Sequence, residues 1–514
     1  MLHFSRRLYG RCASSARDQD SRVYALGIVV LSLFLRSLFS PHSFRHLPTV
    51  GGPSAPLLSY IGAHKYVNNA ISILQEGYDK YKGGTFKVPM ISRWLVVITG
   101  PKLVDEVQKL PDDKASFLEA SADLSSVKYM FGSQVHMNPY HVTIIRQQLT
   151  HNLAALFPEV MDEIETAFAE LVPARLDDWL SIPALATMKQ IVSRASNRVF
   201  LGLPYCRDPV YLDMVLNITR LVGKGRLWID MFPEFLKPLA TKFIANIDGH
   251  VDAGLECLKD LIYPRIRDAE KYGDKWTDKP SDLLQWVVDE ERKNGRIDAR
   301  NVMKMIYMLN FVAIHTSSNS VTHALYHLAA NPEFISPLRK EIEAVIEMDG
   351  WTKTAMGKMP KLDSFMRESQ RLNGINGVSL KRKILKDVTL SDGTFLPGGT
   401  ILVTPSTATH MDKENYPDPN VFDPWRFSEM REDGEEMKYQ LVSTSANYVA
   451  FGLGKHACPG RFFAANELKA VMAHIIMNYD VKAEKEGVRP PNRWFGLSLM
   501  PHPTAKVLFR KRRN

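Results

Sequence analysis

The chain of 514 residues holds only four cysteines, Cys12, Cys206, Cys257 and Cys458, far apart and without CxxC spacing. That excludes a disulfide scaffold and a zinc module, and it suits a reducing compartment. Also missing from the body are a Gly/Ser-rich linker, an internal repeat and a low-complexity block, so one large domain is expected. Charge is scarce where a polyanion would need it. The formal net charge is +9, but residues 1–46 carry seven Arg against two Asp, and Arg510, Lys511, Arg512 and Arg513 carry four more positive charges. The segment between is neutral. A nucleic-acid surface would need a basic face on the folded part, and that class is excluded. Basic ends suit anionic lipid, while the C-terminal run reads equally well as a solvated tail.

A long hydrophobic run is lacking too. Residues 23–35 carry no charge and continue past Arg36 to Phe39, giving 17 positions. A membrane helix needs roughly 20, and Arg36 near one end can snorkel to the interface. No small-residue cleavage site follows, which argues against a secretory signal. Residues 1–22 therefore read as a basic tail, 23–39 as a membrane anchor, 40–56 as a Pro/Gly-rich hinge and 57–514 as the catalytic body. A mitochondrial presequence is the rival reading, because Arg6, Arg7, Arg11 and Arg17 occur with no acid among the first 17 residues. The apolar run and hinge that follow directly favour the anchor.

What is present is apolar content, 45% of positions, enough for a large core. Apolar periodicity predicts helices over 69–80, 103–109, 142–156, 160–171, 184–200, 251–271, 301–330 and 336–347. Strand signals fall at 94–99 and across 378–405, where Asp392-Gly393 and Pro397-Gly398-Gly399 mark turns. The fold class expected is mainly α with a small β region. The apolar stretch 227–236 reads as a loop, either dipping into a bilayer or packed in the core.

One cysteine stands in a chemically suggestive setting. Phe451-Gly452-Leu453-Gly454-Lys455-His456-Ala457-Cys458-Pro459-Gly460 places Cys458 in a glycine-flanked loop just before a helical pattern starting at Arg461. Loop glycines let backbone lie flat against a planar cofactor, and helix-start N–H groups stabilise a thiolate. A lone buried cysteine is more often a small hydrophobe. Upstream, Glu368-Ser369-Gln370-Arg371 sets a carboxylate and a guanidinium on one helical face. A threonine, Thr316, sits inside the 301–330 helix, where its hydroxyl can bond the carbonyl four residues back or turn toward a ligand.

Together these segments resemble the cytochrome P450 family at every fixed position of its Phe-Gly-x-Gly-x-x-x-Cys-x-Gly signature, and over roughly residues 47–514. The resemblance implies a single haem domain. It makes Cys458 the axial thiolate of haem b, with Phe451, Gly452, Gly454 and Gly460 shaping the loop and His456 in the place of a basic residue contacting a propionate. Arg382 and Arg146 become further propionate contacts, although Val142 stands where the family has a tryptophan. Glu368 and Arg371 become two members of a structural triad completed by Arg426. Thr316 orients dioxygen and its proton supply. The family's usual acid before that threonine is His315 here, and two roles are open to it: proton relay, or a hydrogen bond within the core.

The implied activity is monooxygenation using O2 and NADPH-derived electrons. The implied partners are a lipophilic substrate, NADPH-cytochrome P450 reductase, cytochrome b5 and a membrane, that of the endoplasmic reticulum, with no nucleic acid. Glu-Ser-Gln-Arg-Leu-Asn, Ala-Ile-His-Thr-Ser and Gly-Lys-His-Ala-Cys-Pro-Gly-Arg-Phe-Phe-Ala resemble fungal members acting on terpenoids and steroids in secondary metabolism. Two other classes stay in view: a haem isomerase or dehydratase needing no external electrons, which Thr316 argues against, and a non-catalytic haem-binding membrane protein, which His315 motivates.

Overall fold

The computed structural model describes residues 46–513, together with Gly27 and Phe44, except 56–57, 92, 126, 133–136, 230–231, 233–235, 296 and 433–436. The basic tail 1–22 and, Gly27 apart, the anchor 23–39 lie outside the described residues. Among those described, no helix is long and apolar enough to cross a membrane.

Helices dominate, with small sheets beside them, as expected. The five-stranded sheet joins β1 (Thr85–Pro89), β2 (Trp94–Ile98), β3 (Ala115–Ser116), β5 (Ser379–Ile384) and β8 (Ile401–Thr404) in the order β1-β2-β8-β5-β3, with β4 (Leu180–Pro183), β6 (Val388–Thr389) and β7 (Phe395–Leu396) in smaller sheets. Strand alternation divides its side chains between two faces. Leu95 and Val97 pack with Phe86, Ile401 and Val403, whereas Val96 and Ile98 pack with Leu103, Ile384 and Leu402. Leu453 of the cysteine loop joins this second face. The same alternation buries Leu380, Arg382 and Ile384 on β5. A second sheet pairs the C-terminal strand Lys506–Lys511 with both β4 and Tyr479–Ala483.

The helix Ala299–Ala330 runs through the middle, about 48 Å long at 1.5 Å per residue. Asp298 caps its start, its carboxylate accepting from the Arg300 amide at 2.8 Å. It packs against Ala184–Phe200, which matches its predicted bounds, and against Arg461–Asn478, the helix that follows Cys458.

Several expectations need correction. A break at Pro158 was expected between 156 and 160, but Thr150–Leu171 is continuous. Leu153, Leu156, Phe157, Val160, Met161 and Ile164 form one buried stripe across it, and that burial outweighs the single helical bond the proline lacks. The start of the same pattern winds as a π-helix, Ile144–Leu149. The 251–271 helix is two, Ile247–Cys257 and Lys259–Tyr272. The apolar stretch from 227 is not all loop, because the helix Pro209–Ile229 runs into it. The end of the supposed hinge is tied down: Lys87 donates its amide to the Pro48 carbonyl at 2.9 Å, Val50 donates to the Lys87 carbonyl at 3.0 Å, and Leu47 and Val50 are buried. Val50 and Leu47 pack on the two faces of the five-stranded sheet.

Burial also dictates how the fold responds to acid. It pushes His410 down to about 3 and His141 and His474 down to about 4, from an ordinary 6.5. Such groups are neutral when folded and take up protons on unfolding, so the stability they leave intact above pH 6.5 is lost as pH falls toward their folded values. Melting temperature should therefore decline from about pH 6.5 to pH 4, with unfolding coupled to uptake of more than one proton; a flat profile over that window would contradict this.

Candidate active site

The cysteine loop is built by two glycines in conformations that side chains rarely adopt, Gly452 at φ 77° and Gly454 at φ 66°. A Cβ on Gly454 would meet only the movable end of the Gln108 side chain, so it is the backbone conformation that calls for glycine there. Cys458 donates its amide to the Phe451 carbonyl at 2.7 Å, which closes the loop. Burial pushes its thiol up, while the amides of Gly460 and Arg461 and the Arg461 charge pull it down. Those amides are at the start of the following helix, where electropositive N–H groups favour a thiolate.

Arg382 is 1% exposed, yet its Nε and Nη2 have no hydrogen-bond partner among the described residues. Only Nη1 is engaged, donating to the Lys381 carbonyl at 2.9 Å. Burial pushes this guanidinium down to about 10. Two orphaned, buried donors on a cation are costly unless an anion meets them. Phe117 lies between Arg382 and His456: its ring is 5.9 Å from the Arg382 guanidinium and is stacked on the His456 ring at 5.3 Å. His456 also bonds Asp112 Oδ1 at 2.6 Å, and Lys455 reaches the same carboxylate at 3.1 Å. Asp112 escaped the sequence reading, since it is 344 positions from His456 in an ordinary turn.

Arg146 is placed differently from Arg382. It is exposed and donates to the Lys455 carbonyl at 2.5 Å, bracing the cysteine loop from outside. Phe451 is partly buried against the main core.

On the long helix, every residue from Met305 to Ala330 is buried except Phe311, Val312, Ala313, His315 and Thr316. Val312 is 42% exposed in the middle of the protein. Beside that turn, the Phe131 ring lies 6.5 Å from the Phe311 ring. Thr316 Oγ1 donates back to the carbonyls of Val312 at 2.8 Å and Ala313 at 3.1 Å. His315 bonds the Phe311 carbonyl through Nδ1 and stacks on the Phe311 ring. Burial pushes its pKa down, so the imidazole is neutral and its one N–H is committed to that carbonyl. The geometry favours the second of its two roles, a hydrogen bond within the core.

Glu368, Arg371 and Arg426 meet. Arg371 grips Glu368 with two bonds, 2.8 and 2.7 Å, and Arg426 Nε reaches Glu368 Oε1 at 3.2 Å. The Glu368 and Arg371 side chains are fully buried. The remaining donors go to backbone: Arg371 to the carbonyls of His410 and Pro419, Arg426 to that of Pro417. A neighbouring buried arginine, Arg367, was not singled out from sequence; its guanidinium lies 3.6 Å from the centre of the Tyr448 ring.

The residues present thus fit a haem: a cysteine with helix-start amides at its sulfur, a buried arginine with free donors, and a turn opposite that is open amid a buried helix. Comparison with known proteins agrees. A family model described as Cytochrome P450 matches residues 51–509. The chain is 50% identical over 488 residues to Cytochrome P450 monooxygenase 151 of Postia placenta, covering 95% of this chain and 97% of that one. It is 35% identical over 497 residues to Cytochrome P450 monooxygenase CYP512U6 of Ganoderma lucidum, covering 96% and 97%. It is 33% identical over 496 residues to Cytochrome P450 monooxygenase olcJ of Penicillium canescens, covering 95% and 93%.

Glu368→Gln should leave two buried guanidinium groups without their counter-charge, a loss of about 3–5 kcal/mol. Set against a total stability of about 5–15 kcal/mol, that should cut the yield of folded protein several-fold. Asp177→Ala removes an exposed partner of Arg513 and should leave the melting temperature unchanged. Equal melting temperatures for the two variants would contradict the assignment.

Proposed function

The chain belongs to the cytochrome P450 family of haem-thiolate monooxygenases, and from that premise we propose that it inserts one oxygen atom of O2 into a terpenoid or steroid of fungal secondary metabolism. Electrons come from NADPH through NADPH-cytochrome P450 reductase, with cytochrome b5 as a second donor. The observation that carries the lipophilic substrate is the open turn of the long helix, where Phe311, Val312 and Ala313 present hydrocarbon and Val312 keeps 42% of its surface exposed. The terpenoid or steroid class is supported by the resemblance of the Glu368, Thr316 and Cys458 segments to fungal members acting on such compounds.

When bound, haem b with a thiolate ligand activates dioxygen for insertion of one of its oxygen atoms. Cys458 would ligate the iron, and the Gly460 and Arg461 amides would hold the negative charge of its sulfur. Phe451, whose carbonyl accepts the Cys458 amide, would pack near that sulfur as the family resemblance implies. Arg382 would turn its free donors to a propionate, and His456, oriented by Asp112, would be a further propionate contact. Arg146 fixes the loop through the Lys455 carbonyl. Thr316, whose hydroxyl donates to the Val312 carbonyl, would turn that hydroxyl toward dioxygen.

Lys455, Arg461 and Arg146 give the outer side of the loop a positive surface for an acidic reductase. The apolar run 23–39, the basic ends and the exposed side chains of Trp228, Leu239 and Phe243 support a seat on the endoplasmic reticulum membrane, with the body in the cytosol.

The reduced carbon-monoxide difference spectrum of the wild-type protein should show a thiolate-type Soret band that Cys458→Ala lacks. With reductase and NADPH, oxygenated product should form from members of a terpenoid panel, and Thr316→Ala should divert NADPH electrons to hydrogen peroxide. A wild-type spectrum without the thiolate band would sink this reading; product formed without NADPH would point to an isomerase or dehydratase.

A further inference from the structure

His315 stands where the family has an acid, and its ring does more than fill the core. It lies one helical turn after Phe311, so the two side chains share a face of the long helix. Nδ1 bonds the Phe311 carbonyl, and the imidazole is stacked on the Phe311 ring, with centroids 4.9 Å apart and planes 26° from parallel. A carbonyl only accepts, so Nδ1 carries the hydrogen and the neutral ring keeps its single N–H on a backbone oxygen. An ionised carboxylate at this position could neither donate to that oxygen nor stack on the ring.

Phe311 has a second aromatic neighbour. The Phe131 ring, 1% exposed and part of the main core, lies 6.5 Å from it at 37°. Phe311 is therefore the ring common to two contacts, one with a buried residue of a distant segment and one with its own helix. The backbone of the same turn is tied back as well. Three successive carbonyls accept side-chain donors: Phe311 from His315, and Val312 and Ala313 from Thr316 at 2.8 and 3.1 Å. These three residues lie where burial of the helix is interrupted, with Val312 42% exposed beside Phe311.

We propose that His315 is a positioning residue: by stacking on Phe311 it fixes that ring against Phe131 as a rigid flank of the Thr316 turn, and the flank sets how a ring-fused substrate lies there. The proposal rests on the monooxygenase reading, which puts the substrate at this turn. His315 acts through Phe311 and touches no reacting atom. A fixed wall favours a fixed skeleton, because two rigid surfaces lose little freedom on contact whereas a flexible chain must be ordered. The hydrogen bond to the Phe311 carbonyl sets the plane of the imidazole; the stack is what holds Phe311.

The test uses the full-length haem-loaded protein and two iron-binding probes, imidazole and 4-phenylimidazole, titrated by their Soret shifts. The phenyl group extends beyond the iron-binding ring, so the ratio of the two dissociation constants reads the flank rather than the iron. His315→Asn can still donate to the carbonyl but cannot stack, and it should lower the preference for 4-phenylimidazole by roughly threefold to tenfold, the range of one aromatic contact. His315→Phe keeps a stacking ring without the hydrogen bond and should retain the wild-type preference. Because His315 acts through Phe311, adding His315→Asn to Phe311→Leu should change the ratio no further, whereas a merely structural role would make the two effects add. A preference unchanged in His315→Asn, one lost in His315→Phe, or additive effects in the double variant would each overturn the proposal. The Asn and Phe variants test it separately, so misfolding of one leaves the other decisive. Failure of the monooxygenase reading is distinguishable: wild type would then show no thiolate-type band with carbon monoxide and no Soret shift with either probe, and the proposal would fall with it. Failure of the proposal alone leaves both signals in place.

Discussion

The ion pair of Glu368 with Arg371, closed by Arg426, is the constraint from which the site hangs. A carboxylate and a guanidinium out of water are tolerated only when every donor and acceptor is matched. Here the surplus donors of the two arginines are satisfied by the carbonyls of His410, Pro417 and Pro419, so the segment 410–426 must lie against the helix Pro360–Leu372. The requirement propagates. With its carbonyl fixed, the His410 ring accepts the Val449 amide at 3.1 Å. Val449 in turn accepts from Gly452 and from Ser379 on β5. The cysteine loop is therefore held on one side by the buried triad and on the other by the sheet that buries Arg382.

This chain of contacts also explains why acid threatens the site before it threatens the surface. His410 receives an N–H, and only a neutral imidazole can do so. Burial and the neighbouring Arg371 and Arg367 charges keep it neutral far below the usual histidine range. Protonating it would cost the Val449 contact and place a third cation beside two arginines.

Much of the site was legible in the sequence because it is local. Cys458 with its glycines, and Glu368 with Arg371, are spacings of a few residues, and helical or turn geometry acts over that range. Alternation along β5 is equally local and accounts for the burial of Arg382. The helix bounds were less legible at Pro158 and Leu258, where tertiary burial, not propensity, decides whether a helix continues.

What the sequence determined by itself was the family, the loop around one cysteine and the face on which each motif residue lies. Only the tertiary structure decided their partners: Asp112 for His456, the Lys455 carbonyl for Arg146, the Phe311 carbonyl for His315, and Ser196 for Glu467. The reason is physical. Periodicity specifies which side of an element a residue occupies, but the charge and hydrogen bonds it meets there belong to segments 271 or 344 positions away. Their arrival depends on how the whole core packs. Cys458, in the loop before its helix, could be found in one dimension; the Ser196 hydroxyl that meets the acid nine positions after it could be found only in three.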